Sequence, residues 1–179
     1  MKKIYNTIMI INFKKFINTT YLKIYENYGD GKYAKFDNNN GEPFWGNVAA
    51  GVLPFCISTR RFLINYRSKY VNEPHTWGIW GGKLDNDENI KETVIREFNE
   101  ETGFNDKIKL INAYVFKNPN GFFKYYNFIG LIDNEFEPIL DWESEDYKWL
   151  TIDKLYNQEN LHFGLKKLLK KSKKLIMYL

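Results

Sequence analysis

Cysteine and long apolar runs are both scarce in this chain of 179 residues. Cys56 is the single cysteine, so no internal disulfide can form, and a lone thiol favours a reducing compartment. No run approaches the roughly 18 apolar residues of a membrane-spanning helix, so we expect no membrane partner. The start is basic, as in a signal peptide, but polar residues interrupt the apolar run that follows and no small-residue cleavage site is present. These absences predict a soluble protein of the cytoplasm.

Acidic residues are missing from residues 165–179, which contain six lysines. The whole chain has 26 Lys and Arg residues against 22 Asp and Glu residues, a net charge of +4. Without the tail, 20 basic residues face the same 22 acidic ones, a net charge of about −2. The body of the chain therefore lacks the basic surface that nucleic-acid binding requires.

The length suits one domain with a sizeable hydrophobic core. Residues 29–43 are rich in Gly, Asn and Asp and predict a joint in the chain. We therefore divide the sequence into an appendage of unassigned structure, residues 1–43, and a main domain, residues 44–179. The many Ile, Asn, Lys and aromatic residues have AT-rich codons, which points to a low-GC microbe or virus as the source.

Apolar patterning in the main domain predicts strands interleaved with helices, without strict alternation. That order favours an α/β (α+β) fold in which helices cover a mixed β-sheet. The predicted strands span 45–58, 60–68, 107–117, 121–133 and the start of 147–155, and the predicted helices span 88–102, the end of 147–155, and 163–176.

The predicted helix 88–102 ends in an unfavourable cluster of acids. Glu97, Glu100 and Glu101 lie in its last turn, where the helix dipole is negative and basic residues are preferred. At 100° per residue, Glu97 and Glu101 continue the apolar stripe of the helix, so we expect both to be partly buried. Buried carboxylates are costly unless a cation holds them, and their oxygens suit Mg²⁺ or Mn²⁺. The alternative is a solvated acidic helix in which Arg96 pairs with Glu92 or Glu100.

The spacing of these residues resembles the Nudix box. That motif is a Gly, five residues, a Glu, seven residues, Arg-Glu, an apolar residue, any residue, Glu-Glu, any residue, a Gly and an apolar residue. The chain matches every defined position, with Gly82, Glu88, Arg96, Glu97, Phe98, Glu100, Glu101, Gly103 and Phe104.

The resemblance implies an α/β/α sandwich with a mixed sheet and a hydrolase of nucleoside diphosphates linked to another group. It implies that Glu97, Glu100 and Glu101 bind Mg²⁺ or Mn²⁺, with the carbonyl of Gly81 as a further ligand. Arg96 would orient the carboxylates during catalysis.

Glu88, Gly82 and Gly103 would shape the loops at the two ends of the helix, by the same resemblance. Family members often recruit one more acid from outside the box, and we select Glu143 from the acidic segment 141–146.

Three further residues are candidates for contact with the substrate. Arg67 could reach a phosphate, although a surface arginine is an equal alternative. Trp80 replaces the proline common at the entrance of the box, and it would either pack in the core or stack on a base. Pro119 lies where relatives of ADP-ribose type carry a proline, although a turn proline is the plain alternative.

The leading function is therefore hydrolysis of a small nucleotide-derived molecule such as an NTP or ADP-ribose. An RNA-cap hydrolase is the first alternative, because the lysine tail and residues 1–43 could hold RNA. A non-catalytic nucleotide-sensing module is the second, although the complete set of acids argues against it. The sequence leaves the question of a homodimer open.

Overall fold

The computed structural model describes residues 48–85, 88–117 and 123–179. The predictions for residues 1–43 and for Pro119 lie outside these ranges, so the proposed domain boundary stays a prediction. The described strands are β1 (Val48–Cys56), β2 (Arg61–Arg67), β3 (Trp77–Gly78), β4 (Trp80–Lys83), β5 (Lys109–Lys117), β6 (Lys124–Ile132) and β7 (Ser144–Thr151), and the helices are α1 (Ile90–Thr102), α2 (Ile152–Tyr156), α3 (Phe163–Lys171) and α4 (Lys173–Met177).

One seven-stranded mixed sheet contains all the described strands, as the sequence predicts. Its main path runs β3-β2-β1-β6-β5, with β4 paired to β1 and β7 paired to β2. Strand β1 lies parallel to β6 and antiparallel to β2 and β4. The apolar sequence of β1 follows from this central position, since nearly all of its residues are buried.

Helices cover both faces of the sheet, in agreement with the predicted sandwich. Ala50 and Val52 of β1 belong to a core cluster that contains the apolar residues of α1. Gly51 lies between them and faces the other way, because side chains alternate along a strand. On that second side the Tyr125 hydroxyl approaches Gly51, and Tyr125 shares a pocket with Phe163 of α3.

Local sequence accounts for both ends of α1. The Asn89 side chain accepts hydrogen bonds from the backbone N–H groups of Lys91 and Glu92, and the Glu92 carboxylate accepts one from the Asn89 N–H. Gly103 ends the helix in the left-handed conformation, with φ 69°, and donates its N–H to Asn99. The helix thus begins just after the predicted start, residue 88.

Two predictions about secondary structure are wrong. Residues 81–83, which the sequence assigns to the loop before the helix, belong to β4, because they pair in register with β1. The predicted helix 163–176 breaks at Ser172, whose buried hydroxyl donates a hydrogen bond to the carbonyl of Ala113 in β5. Among the described helices, none is long and apolar enough to cross a membrane.

Candidate active site

The glutamates at the end of α1 differ in burial as the helical wheel predicts. Glu101 is only 5% exposed, and its Oε2 accepts a hydrogen bond of 2.9 Å from the Gly81 N–H. The side chain of Glu97 is 17% exposed, whereas that of Glu100 is 56% exposed. Glu97 and Glu101 therefore continue the buried stripe of the helix, and Glu100 lies at its solvent edge.

Two glycines of β4 allow the strand to lie against these carboxylates. A Cβ atom added to Gly82 would come within 2.5 Å of the Glu97 carboxylate. Gly81 has φ 143°, a conformation that favours glycine, and a Cβ there would collide with the backbone of Ala50. Gly81 thus allows close approach of the neighbouring strand β1, and Gly82 allows close approach of the Glu97 carboxylate.

Arg96 holds the acids around it in one network. Its guanidinium donates to Glu88 at 2.8 Å and contacts Glu97 and Glu100, each at 2.9 Å. Of the two partners that the sequence suggested for Arg96, only Glu100 is used. Glu92 instead accepts from the Asn89 N–H at the start of the helix.

Glu88 is bound to two residues of α1. Besides its contact with Arg96, its carboxylate accepts a hydrogen bond of 3.0 Å from the Thr93 hydroxyl. The hydrogen bond from Arg96 lowers the pKa of Glu88, so this carboxylate stays ionised and keeps its contact with the guanidinium. The role in loop shaping expected for Glu88 stays a prediction.

Glu143 lies close enough to the glutamates of α1 to act on their ionisation. Burial raises the pKa of Glu101 well above its usual range, and the negative charges of Glu143 and Glu97 raise it further. Burial also raises the pKa of Glu97, against the lowering effect of Arg96, and it raises that of Glu143. The negative charges of Glu97, Glu101 and Glu143 thus act on one another, and neutralising them would favour the ionised forms.

Two other acids of segment 141–146, Asp141 and Glu145, lie in different surroundings. Asp141 Oδ1 accepts from the Glu143 N–H at 2.9 Å, and the charge of Asp141 adds to the repulsion on Glu143 and Glu101. Glu145 instead accepts from the backbone of Lys69, away from the cluster. The choice of Glu143 stands as a proposal, and Asp141 joins it as a neighbour that the sequence did not single out.

These residues fit a divalent cation, although some must exchange partners to bind it. Within 48–85, 88–117 and 123–179, no three acidic, His or Cys side chains already converge in a ready metal site. The contacts of Arg96 with Glu97 and Glu100 give a physical reason, since the guanidinium occupies those oxygens. Carboxylate oxygens are nevertheless the ligands that Mg²⁺ and Mn²⁺ prefer.

The prediction that Trp80 contacts the substrate is wrong. Its ring is completely buried in the core and packs edge-on against Phe98 at 6.2 Å between ring centroids. A ring with no exposed face cannot stack on a base, so the packing alternative is the one observed.

A pocket of about 170 Å³ adjoins the acids through the backbone of Gly81, which is part of its lining. Aromatic side chains form much of the wall, and several polar side chains interrupt it. The aromatic residues are Tyr114, Phe116, Phe123, Tyr125 and Phe163, and the polar side chains include Arg67, Glu73, Asn127, His162 and Lys167.

Arg67 lies in this pocket, where it donates two hydrogen bonds to the carbonyl of Asn72, at 3.0 and 2.8 Å. Its expected contact with a phosphate stays a prediction. His162 is neutral near pH 7, because burial first and Arg67 second lower its pKa to about 4. Its Nδ1 accepts from the Gly164 N–H at 3.1 Å, at the start of α3.

Several known proteins resemble this chain. The family model described as the NUDIX domain matches residues 46–172. A Mycobacterium tuberculosis protein provisionally named 8-oxo-dGTP diphosphatase 3 is 32% identical over 82 residues, which cover 44% of this chain and 38% of that protein. The chain thus spans well under half the length of this relative.

Two solved structures share the fold at lower sequence identity. A Nudix hydrolase from M. smegmatis, RenU, has a TM-score of 0.66 at 20% identity, covering 84% of this chain and 97% of its own. A MutT protein from Methanosarcina mazei has a TM-score of 0.59 at 22% identity, covering 71% of this chain and 92% of its own. At these identities the likeness concerns the fold.

Proposed function

The chain belongs to the NUDIX family, and on this basis we propose that it hydrolyses the pyrophosphate bond of a nucleoside diphosphate linked to another moiety. One observation carries the proposal. Gly81 donates its N–H to the buried Glu101 and also lines the aromatic pocket. A nucleotide held in that pocket would therefore place its phosphates beside the acids of α1.

The cofactor of the proposed reaction is Mg²⁺ or Mn²⁺. Glu97, Glu100, Glu101 and Glu143 would hold it, together with the carbonyl of Gly81. When bound, the ion would neutralise charge on the pyrophosphate and activate a water for attack on phosphorus. The raised pKa values of Glu97, Glu101 and Glu143 support this assignment, because burial and mutual repulsion disfavour their ionised forms and a bound cation would favour them.

The chain's own groups would orient the ligands and the substrate. Arg96 anchors Glu97 and Glu100 near the helix end, while Glu88 anchors Arg96 in turn. Arg67 presents a guanidinium at the pocket and would neutralise a substrate phosphate. The aromatic walls would bury the base, since base–aromatic stacking contributes about 1–3 kcal/mol.

A substrate panel tests the proposal. Product release would be measured from NTPs, ADP-ribose, NADH, dinucleoside polyphosphates and capped RNA, with Mg²⁺, Mn²⁺ or EDTA. We expect release from at least one small nucleotide, loss of activity in EDTA, and loss in Glu101→Gln. The exposed Glu137→Gln is the matched control and should keep full activity. Metal-independent turnover, or release from capped RNA alone, would contradict the proposal.

A further inference from the structure

We propose that Lys167 determines the base specificity of this site by binding the carbonyl oxygen of a 6-oxopurine base. The inference rests on the proposed function, because it assigns the aromatic pocket to the base of the nucleotide. It adds a residue outside the motif and a substrate class that the motif does not specify.

The ammonium group of Lys167 lies over two aromatic rings of the pocket wall. Its Nζ lies 4.3 Å from the ring centroid of Phe116 in β5 and 5.5 Å from that of Phe163. The two rings lie 6.3 Å apart and nearly perpendicular, so they form a corner that the ammonium covers. Within the part of the chain that the structure describes, Lys167 forms no salt bridge, so its three donors are available to a ligand.

Asn127 offers a fixed acceptor to the same pocket. The residue is only 5% exposed, and its Nδ2 donates to the carbonyls of Tyr114 and Tyr125 at 3.1 and 3.3 Å. Both amide protons are thus used, and rotation of the amide would turn its oxygen towards two carbonyl oxygens. The Oδ1 atom makes no hydrogen bond among the described residues and is the group left for a ligand.

The other charged groups of the pocket have close neighbours of their own. Glu73 Oε2 lies 3.5 Å from Nε2 of the neutral His162, and two donors of Arg67 bind a backbone carbonyl. We therefore assign the base edge to Lys167 as the donor and to Asn127 Oδ1 as the acceptor, since both line the pocket.

These two groups favour a base that presents an N–H donor beside a carbonyl acceptor. Guanine and hypoxanthine carry N1–H next to O6. Uracil and thymine carry N3–H next to O4, but the larger purine ring gains more from stacking on the aromatic walls of the pocket. Lys commonly pairs with O6 and N7 of guanine, and one good contact discriminates by about 1–3 kcal/mol. Adenine instead places an amino group at position 6, which would turn its donors towards the ammonium.

The test uses four triphosphates in which the 6-oxo group and the 2-amino group of the purine vary separately. GTP and ITP have the 6-oxo group, whereas ATP and 2-aminopurine riboside triphosphate lack it. Lys167→Met removes the charge but keeps an unbranched apolar side chain that can pack on Phe116. Lys167→Arg restores a cation, and the exposed neighbour Lys166→Met is the control.

We expect wild type to prefer GTP and ITP, and Lys167→Met to lower kcat/KM for both by about 5- to 150-fold, the ratio equivalent to one contact. Turnover of the other two should stay nearly unchanged. Lys167→Arg should recover most of the preference, and Lys166→Met should behave as wild type. Equal effects of Lys167→Met on all four substrates would show that Lys167 only packs α3 against β5, and would overturn the inference.

Equilibrium binding of GMP and AMP separates this inference from the proposed function. Tighter binding of GMP by wild type, lost in Lys167→Met, would support the inference even if no triphosphate were hydrolysed. Hydrolysis with equal binding of GMP and AMP would overturn the inference and leave the proposed function intact.

Discussion

Replacing Glu101 by Gln should stabilise the metal-free protein and abolish turnover. Burial raises the pKa of Glu101 well above its usual range, with further contributions from Glu143 and Glu97. The folded state therefore holds this proton more tightly than the unfolded state, whose carboxyl has a pKa of about 4.3. The stabilising contribution is present below that value and is lost as pH rises through the folded pKa. At neutral pH the wild type carries this penalty, and the Gln variant does not.

The size of the gain follows from the contacts of the side chain. The substitution removes the cost of ionising a buried carboxyl beside Glu143 and Glu97. Gln can still accept the Gly81 N–H, but a neutral acceptor binds about 1 kcal/mol less strongly than a charged one. We expect a net increase of about 1–2 kcal/mol in the free energy of unfolding, or a rise in Tm of about 2–8 °C.

Thermal unfolding with EDTA and with Mg²⁺, between pH 5 and 8, measures this prediction. In EDTA, the wild type should lose stability relative to Glu101→Gln as pH rises. Saturating Mg²⁺ at about 100 times its Kd should stabilise the wild type by about 2.7 kcal/mol and leave the variant unchanged. Glu137→Gln controls for loss of one surface charge. A variant that is less stable in EDTA yet turns over normally would show that Glu101 is a structural residue, and the reasoning would fail.

Three other substitutions test separate parts of the structure. Gly82→Ala should fold with a Tm within a few degrees of wild type but lose most turnover, because the new methyl displaces the flexible Glu97 carboxylate 2.5 Å away. The contribution of His162 to stability should fall by up to about 3 kcal/mol as pH drops from 6.5 to 4, since burial lowers its pKa to about 4. His162→Asn, which can still cap α3, should flatten that pH profile in denaturant titrations. Ser172→Ala should lower the free energy of unfolding by about 1 kcal/mol, because it leaves the carbonyl of Ala113 without its partner.

Short-range periodicity explains what the sequence predicted well. A continuous apolar run predicted β1 as a buried strand, and the 3.6-residue period of α1 placed Glu97 and Glu101 on its buried face. Both inferences depend on neighbours within one element. The caps at Asn89 and Gly103 are equally local, although the prediction from sequence did not include Asn89 as a cap and started the helix at residue 88.

Contacts between distant elements explain what the sequence did not predict. The break at Ser172 depends on a carbonyl of β5, and nothing in the pattern of residues 163–176 indicates that partner. The polar residues of the pocket, Asn127 and Lys167, come from β6 and α3, and neither belongs to a motif. The sequence left both core packing and base stacking open for Trp80, because a tryptophan beside two glycines suits both a core and a binding site.

The two halves of the proposed site meet at a pair of glycines. Gly51 of β1 lies opposite Gly81 of β4 in the sheet. Because Gly51 has no side chain, the Tyr125 hydroxyl approaches the backbone there, and burial followed by the charge of Glu101 raises the pKa of this hydroxyl. The acids and the aromatic pocket thus share one short segment of β4, which is both a hydrogen-bond donor to Glu101 and a lining of the pocket. Such an arrangement favours a substrate whose base and phosphates lie close together, as in a nucleotide. Gly81 contacts Glu101, one of the acids that would bind the phosphates through the metal, and it also lines the pocket that would bind the base.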